Sequence, residues 1–235
     1  MSFDVVTFVN QQVGLFTGAA TDLEVSDALM ENISNRGRPP KKNMMISGFG
    51  VNDAPYATKQ TINGKVVRCP AYLCWVNMIH RVHSELVLSM RPTYSGASIC
   101  DDWSSFMEFR RWWAINQVDG WHLDKDILSP LKIYSPDSCI FIPPRLNSFV
   151  VDCGKSRGDL PIGVHRNGKA KNFRARCRDT EKRKNVHLGY FSDAFEASSA
   201  WRSYKLSMAA SMREMMDKID SRVYLGVVRI INEAK

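Results

Sequence analysis

Residues 119–128 read DGWHLDKDIL and place an imidazole and two carboxylates at alternate positions, His122, Asp124 and Asp126. On an extended strand successive side chains point to opposite sides, so these three would share a face. One histidine and two carboxylates facing one space form an oxygen-rich set suited to Mg²⁺ or Mn²⁺. Lys125, between the two aspartates, could neutralise a phosphate, or act as a base if burial lowered its pKa. His122 could serve as the base instead. The alternative is a charged turn held by ion pairs.

A second constellation lies in FRARCR, residues 173–178. Alternation sends Phe173, Ala175 and Cys177 one way and Arg174, Arg176 and Arg178 the other. The arginines then form a row at ~6.6–6.8 Å spacing, twice the rise per residue. Such a row repels itself unless an anion meets it. DNA offers phosphates, and guanine edges for bidentate contacts. His165, Arg166, Lys169 and Lys171 adjoin the row. The alternative is an ordinary solvated face.

Charge distribution points the same way. The chain has 235 residues and a net charge of +8, with a pI near 9.2. From Lys155 to His187 there are eleven Lys/Arg against three Asp/Glu, a surplus equal to that of the whole chain. A surplus of this kind favours a polyanionic partner. Residues 35–43, NRGRPPKKN, add a short basic segment that two prolines and a glycine keep out of helix and central strand. It reads as a solvated linker or as a minor-groove arm. RGRP resembles the core of an AT-hook, and narrow A·T-rich grooves attract inserted arginines, here Arg36 and Arg38.

The elements that must position these residues are partly legible. Residues 1–35 read as small helical pieces, with Ser26 capping a short helix through DALMENI. Residues 71–86 read as an amphipathic helix with Trp75, Met78, Ile79, Val82 and Leu86 on one stripe. Residues 101–114 read as a second helix, with acids at its start and Trp103, Phe106 and Trp113 inward. Residues 121–150 alternate short strand-like runs with turn residues, then RLNSFVV as a short helix. LPIGVHR, KNFRARCR and VHLGYF read as three strands, with the first turn at Asn167-Gly168 and the second in DTEKRKN. Ser192 would cap a following helix whose Phe195, Ala200, Trp201 and Tyr204 pack on the sheet. A last helix runs from about Ser221.

Six cysteines and no CxxC pair suggest reduced, mostly buried thiols. A zinc site among Cys69, Cys74, His80, His83 and Cys100 is the alternative to core packing. No run approaches the length of a transmembrane helix, and MSFDVVTFVN lacks the features of a signal peptide. The expected location is the cytoplasm.

Two family resemblances follow from these segments. IGVHRNGKAKNFRARC, HLGYF and DAFEASSAWRSYK together resemble an AP2-type DNA-binding domain. The resemblance implies a three-stranded antiparallel sheet that enters the major groove, a helix behind it, and Arg166, Arg174, Arg176 and Arg178 as DNA contacts. AYLCWVNMIHRVHSE, RPTYSGASICDDWSSFMEFRRWW, GWHLDKDI and YSPDSCIFIPPRLNS resemble phage-encoded HNH homing endonucleases, particularly those with an AP2 module attached. That resemblance implies Asp124 as the metal-binding acid and Asn147 as the asparagine that ends the motif. The middle asparagine falls near Asp137-Ser138. Lys125 stands where the water-activating histidine belongs.

The expected fold class is therefore α+β. It comprises a helical N-terminal region and basic linker (1–46), a degenerate HNH-like ββα segment (47–150), an AP2-like three-stranded antiparallel sheet packed on a helix (158–206) and a helical extension (207–235). The expected activity is metal-dependent hydrolysis of double-stranded DNA. Its catalytic residues would be His122, Asp124, Lys125, Asp126 and Asn147, with Asp124, Asp126 and Asp137 holding Mg²⁺ or Mn²⁺. The alternatives are a DNA-binding regulator without chemistry on the same scaffold, and an inhibitor of a host protein bound through the N-terminal region. No membrane is expected as a partner.

Overall fold

The structure, a computed structural model, describes residues 20–31, 45–62, 65–150, 159–168 and 172–234. The expectations for Arg36, Arg38, Lys169 and Lys171 lie outside the described residues. The chain is a mixed α+β protein with small sheets. It divides into two compact units, Met1–Lys125 with Leu131–Phe141 and Asp126–Pro130 with Ile142–Lys235. This division differs from the expected boundaries. Residues 126–130 and the helix after Ile142 belong with the C-terminal sheet, and the first described helix belongs to the core of the first unit.

That helix, α1 (Asp22–Glu31), opens on a reciprocal cap. The Glu24 amide donates to Thr21 Oγ at 3.2 Å and the Thr21 amide to Glu24 Oε2 at 2.8 Å, satisfying two orphan donors at once. The cap therefore stands before Ser26, which is fully buried inside the helix with its Oγ 3.3 Å from Cys69 Sγ. Two antiparallel hairpins follow, β1 (Met45–Ile46) with β2 (Gly50–Val51) and β3 (Lys59–Ile62) with β4 (Lys65–Arg68).

The expected stripe is real in α2 (Pro70–His83), where Ala71, Trp75, Met78 and Ile79 are buried. It stops earlier than expected. Ser84 adopts extended backbone and accepts from the Val87 amide, which starts a separate helix, α3 (Glu85–Met90). Leu86 consequently stands 69% exposed. β5 (Ser98–Ile99) leads into a single 3-10 turn at Asp101–Ser104. Ser105 then caps α4 (Phe106–Asn116) by accepting from the Glu108 amide. The acids at 101 and 102 therefore precede the helix instead of forming its first turn. Phe106, Phe109 and Trp113 are buried with Trp75 and Trp103, and Trp75 Nε1 donates to the Trp103 carbonyl at 2.7 Å. Arg110, nearly buried on α4, pairs with Asp27 and ties α1 to this core. β6 (His122–Asp124), β7 (Ile133–Tyr134) and β8 (Ile140–Ile142) complete the strands of this region. β7 pairs in parallel with β5, and β6 pairs with β8.

The second unit holds α5 (Pro144–Val150) and an antiparallel sheet of β9 (Val164–Asn167), β10 (Asn172–Asp179) and β11 (Lys184–Phe191), with β10 in the centre. Asn167 faces Asn172, so four residues lie between β9 and β10 and both asparagines are strand residues. α6 (Ala194–Ser211) packs across the sheet. Its cap is Asp193, whose carboxylate accepts from the Phe195 amide at 3.2 Å; Ser192 is not the cap. Ala197 and Trp201 are buried toward the sheet, whereas Phe195 is 71% exposed on the first turn. α7 (Arg213–Ile219) and α8 (Val223–Glu233) return along the unit. A side chain at Gly226 of α8 would place its Cβ 1.9 Å from the Ile127 carbonyl oxygen, so the helix lies directly on residues 126–130. Arg229 donates to the carbonyls of Asp126 and Ile127. The expected C-terminal extension is thus an integral part of the unit.

Candidate nucleic-acid interface

β10 alternates as its sequence requires. Ala175, Cys177 and Asp179 are buried toward α6, and Arg174, Arg176 and Arg178 lie on the open face. Cross-strand partners share a face, so the register identifies the neighbours of the row. Arg174 lies between His165 and Tyr190, Arg176 opposite His187, and Arg178 opposite Asn185. With Asn167 and Asn172, this face carries no carboxylate among the described residues. None of the ion pairs among the described residues involves the three arginines. The nearest acid along the strand, Asp179, points to the opposite side.

The register slips by one residue between Ala175 and Arg176, because Leu188 is an extra residue on β11. The slip has a chemical result. His187 and Tyr190 are three apart and would occupy opposite faces of a regular strand; across the bulge both face outward. Their rings lie 4.8 Å apart and Tyr190 is 56% exposed. Sequence reading did not select either residue. The available signal was Gly189 inside a strand pattern, which marks a bulge.

Arg166 is placed differently from the expectation. It faces Phe173 in the register, and its guanidinium stands 5.6 Å from the Phe173 ring centroid. It is therefore exposed on the side opposite the arginine row. His165 is on the row's side and accepts from Arg176 Nε through its own Nε2 at 2.9 Å. Partial burial, and then the neighbouring Arg176 and Arg174, hold the His165 imidazole below its ordinary pKa, favouring the neutral acceptor form.

One end of the row is pinned from behind. Asp179 accepts from the Lys182 amide at 2.8 Å, from the Tyr204 hydroxyl at 2.8 Å and from the Glu181 amide at 2.9 Å, with the Lys182 ammonium at 3.3 Å. These bonds, the Lys182 amide foremost, hold its carboxyl at about 2. Beside the middle of the row Gly163 has φ +77°, and a Cβ there would lie 2.1 Å from Trp201 Cδ1. Its carbonyl accepts from the Arg176 amide, continuing the ladder that sets the row.

The expected metal site is arranged otherwise. β6 ends at Asp124, so alternation covers His122 and Asp124 but not Asp126, which lies in the bend that follows. His122 is exposed and Asp124 half-buried, while Asp137 is exposed in the turn after β7. Asp126 and Asn147 belong to the second unit, Asp126 next to the Arg229 clamp and Asn147 on α5. Lys125 is 4% exposed, with its ammonium 5.4 Å from the ring centroid of Tyr134. Tyr134 also hydrogen-bonds Arg81, and burial raises its hydroxyl pKa against the pull of that guanidinium. Among the described residues no group of three His, Cys, Asp or Glu could hold a metal ion. The described residues therefore do not display the expected convergence of His122, Asp124 and Asp126 with Asp137 or Asn147 nearby, nor a metal set around Cys74. Among the described residues these groups do not form a complete ligand shell. Cys69, Cys139 and Cys177 are buried, and His83 stacks on Phe49 at 4.6 Å.

No family model, curated protein or solved structure matches the chain. Among the described residues no helix is long and apolar enough to cross a membrane.

Proposed function

We propose that the chain binds double-stranded DNA through the open face of the β9–β10–β11 sheet, as its resemblance to AP2-type domains implies. One observation carries this reading: Arg174, Arg176 and Arg178 lie in a row on a face without a carboxylate among the described residues, beside the exposed His187–Tyr190 pair. A two-stranded ribbon fits the ~12 Å major groove, and guanidinium groups there meet both phosphates and guanine edges. The test is duplex binding by the full chain and by the triple variant R174A/R176A/R178A. Removing an arginine that grips a guanine through two hydrogen bonds costs ~1–3 kcal/mol of discrimination. The log–log salt slope should also shrink by about one unit for each phosphate deprived of its guanidinium. A triple variant that binds as tightly as wild type at moderate salt overturns the reading.

A second reading adds hydrolysis, as the resemblance to HNH nucleases implies. His122 and Asp124 on one face of β6 favour it, as two of the donors such a site uses. With Mg²⁺ or Mn²⁺, wild type should then nick a duplex it binds, and Asp124→Ala should lose nicking while keeping affinity. No nicking by wild type on a bound duplex leaves a DNA-binding regulator.

A further inference from the structure

The sequence puts His165 among the candidate DNA contacts, but its ring nitrogen is already engaged. We propose that His165 is a positioning residue that fixes which edge of the Arg176 guanidinium reads a base, and that its protonation releases that edge and lowers sequence discrimination. The inference rests on the DNA-binding reading above.

An arginine can present two edges to an acceptor pair: the side formed by Nε and one terminal nitrogen, or the end formed by both terminal nitrogens. Nε of Arg176 donates to His165 Nε2 at 2.9 Å, which occupies the side edge. The end edge remains as the bidentate fork, in the geometry that matches guanine O6 and N7. The bond requires a lone pair on His165 Nε2, hence a neutral ring protonated at Nδ1. Protonation removes that lone pair and adds a further cation against the row.

The charged groups facing His165 among the described residues are Arg174, directly opposite it, and Arg176; His187 lies beyond Arg176 on β11. Both arginines oppose protonation, as does burial, so the change begins below histidine's ordinary value near 6.5. Its two effects on DNA run in opposite directions. Added positive charge strengthens binding to any duplex, while a released Arg176 discriminates less between duplexes. A merely structural role for His165 would weaken both together.

The test begins by selecting duplexes from a random pool with the full chain at about pH 7.5. Affinity for the selected duplex is then compared with that for a scrambled duplex of equal composition, from about pH 7.5 to about pH 5. Wild type should lose roughly five- to a hundredfold of its preference as pH falls, the value of one bidentate contact. Its affinity for the scrambled duplex should hold or rise. His165→Ala should have the reduced preference at both ends of the range. His165→Gln, which offers an acceptor but does not titrate, should keep the preference at both. Preference retained by wild type at low pH, by His165→Ala, or lost with pH in His165→Gln overturns this inference alone. A pool from which the chain retains no duplex overturns the DNA-binding reading, and this inference with it; duplexes retained without enrichment overturn this inference alone.

Discussion

β10 runs for eight residues and β6 for three, and that difference decides how much chemistry alternation can place. Both segments carry polar side chains at every second position. In β10 the pattern is held by a partner strand on each side and by α6 behind, so Arg174, Arg176 and Arg178 must share a face. In the segment from His122 the strand ends after Asp124. Asp126 then follows the bend into the second unit, where Arg229 engages its carbonyl. The i, i+2 rule is a property of extended backbone with paired neighbours, not of sequence spacing.

Two glycines of the same conformation test that comparison. Gly163 precedes β9 with φ +77°, and Gly120 precedes β6 with φ +72°. A Cβ on Gly163 meets Trp201 at 2.1 Å, whereas one on Gly120 meets nothing within 4 Å. Both alanine variants carry the left-handed penalty of ~1–2 kcal/mol. Gly163→Ala adds overpacking of ~1–3 kcal/mol, because the indole is held between helix and sheet. Urea unfolding should therefore show a stability decrease of about 2–5 kcal/mol for Gly163→Ala and about 1–2 kcal/mol for Gly120→Ala. Duplex affinity should fall with the first and be unchanged with the second, since only Gly163 supports the ladder that aligns Arg176. Equal decreases in stability would mean that the indole of Trp201 moves aside freely. Weaker duplex binding by Gly120→Ala would bring the β6 region into DNA binding.

The residues themselves explain what was legible. Strong periodicity survived: Trp75, Met78 and Ile79 on α2, and Ala175 against the arginines on β10. Helix starts were less secure, because several residues nearby can cap. Thr21, Ser105 and Asp193 hold the amides, while Ser26, the acids at 101 and 102, and Ser192 looked equally able in sequence. Non-local pairing left no mark on the sequence. The parallel pairing of β5 with β7 joins residues about 35 positions apart, and two-residue strands have no readable alternation. The same limit hid His187 and Tyr190, whose shared face depends on one bulged residue. It also misplaced Arg166, which the hairpin register alone assigns to the Phe173 side. Lys125 was legible as a departure from the nuclease pattern, but its burial against Tyr134 was not.

The smallest expected effect concerns the pinned end of the arginine row, and it separates support of the sheet from direct binding to DNA. Asp179 is held at about 2 by the Lys182 and Glu181 amides, Tyr204 and the Lys182 ammonium. In the unfolded chain an aspartate titrates near ~3.9. The folded value is the lower one, so the contribution is fully present above the unfolded value. It diminishes as pH falls through the interval between the two values and is gone below the folded one. Asp179→Asn keeps the size of the side chain but has no charge to lose. The urea midpoints of wild type and Asp179→Asn should therefore differ by a constant amount above about pH 4 and converge toward about pH 2. Tyr204→Phe removes one of the donors and should raise the pH at which wild-type behaviour is lost. At neutral pH and moderate salt both variants should bind duplex DNA nearly as wild type does, because Asp179 and Tyr204 lie behind the sheet and the arginines in front. Midpoints that stay apart down to about pH 2 would show that the Asp179 bonds survive protonation. A large drop in affinity for Tyr204→Phe would show that this turn orients Arg178 as well as supporting it.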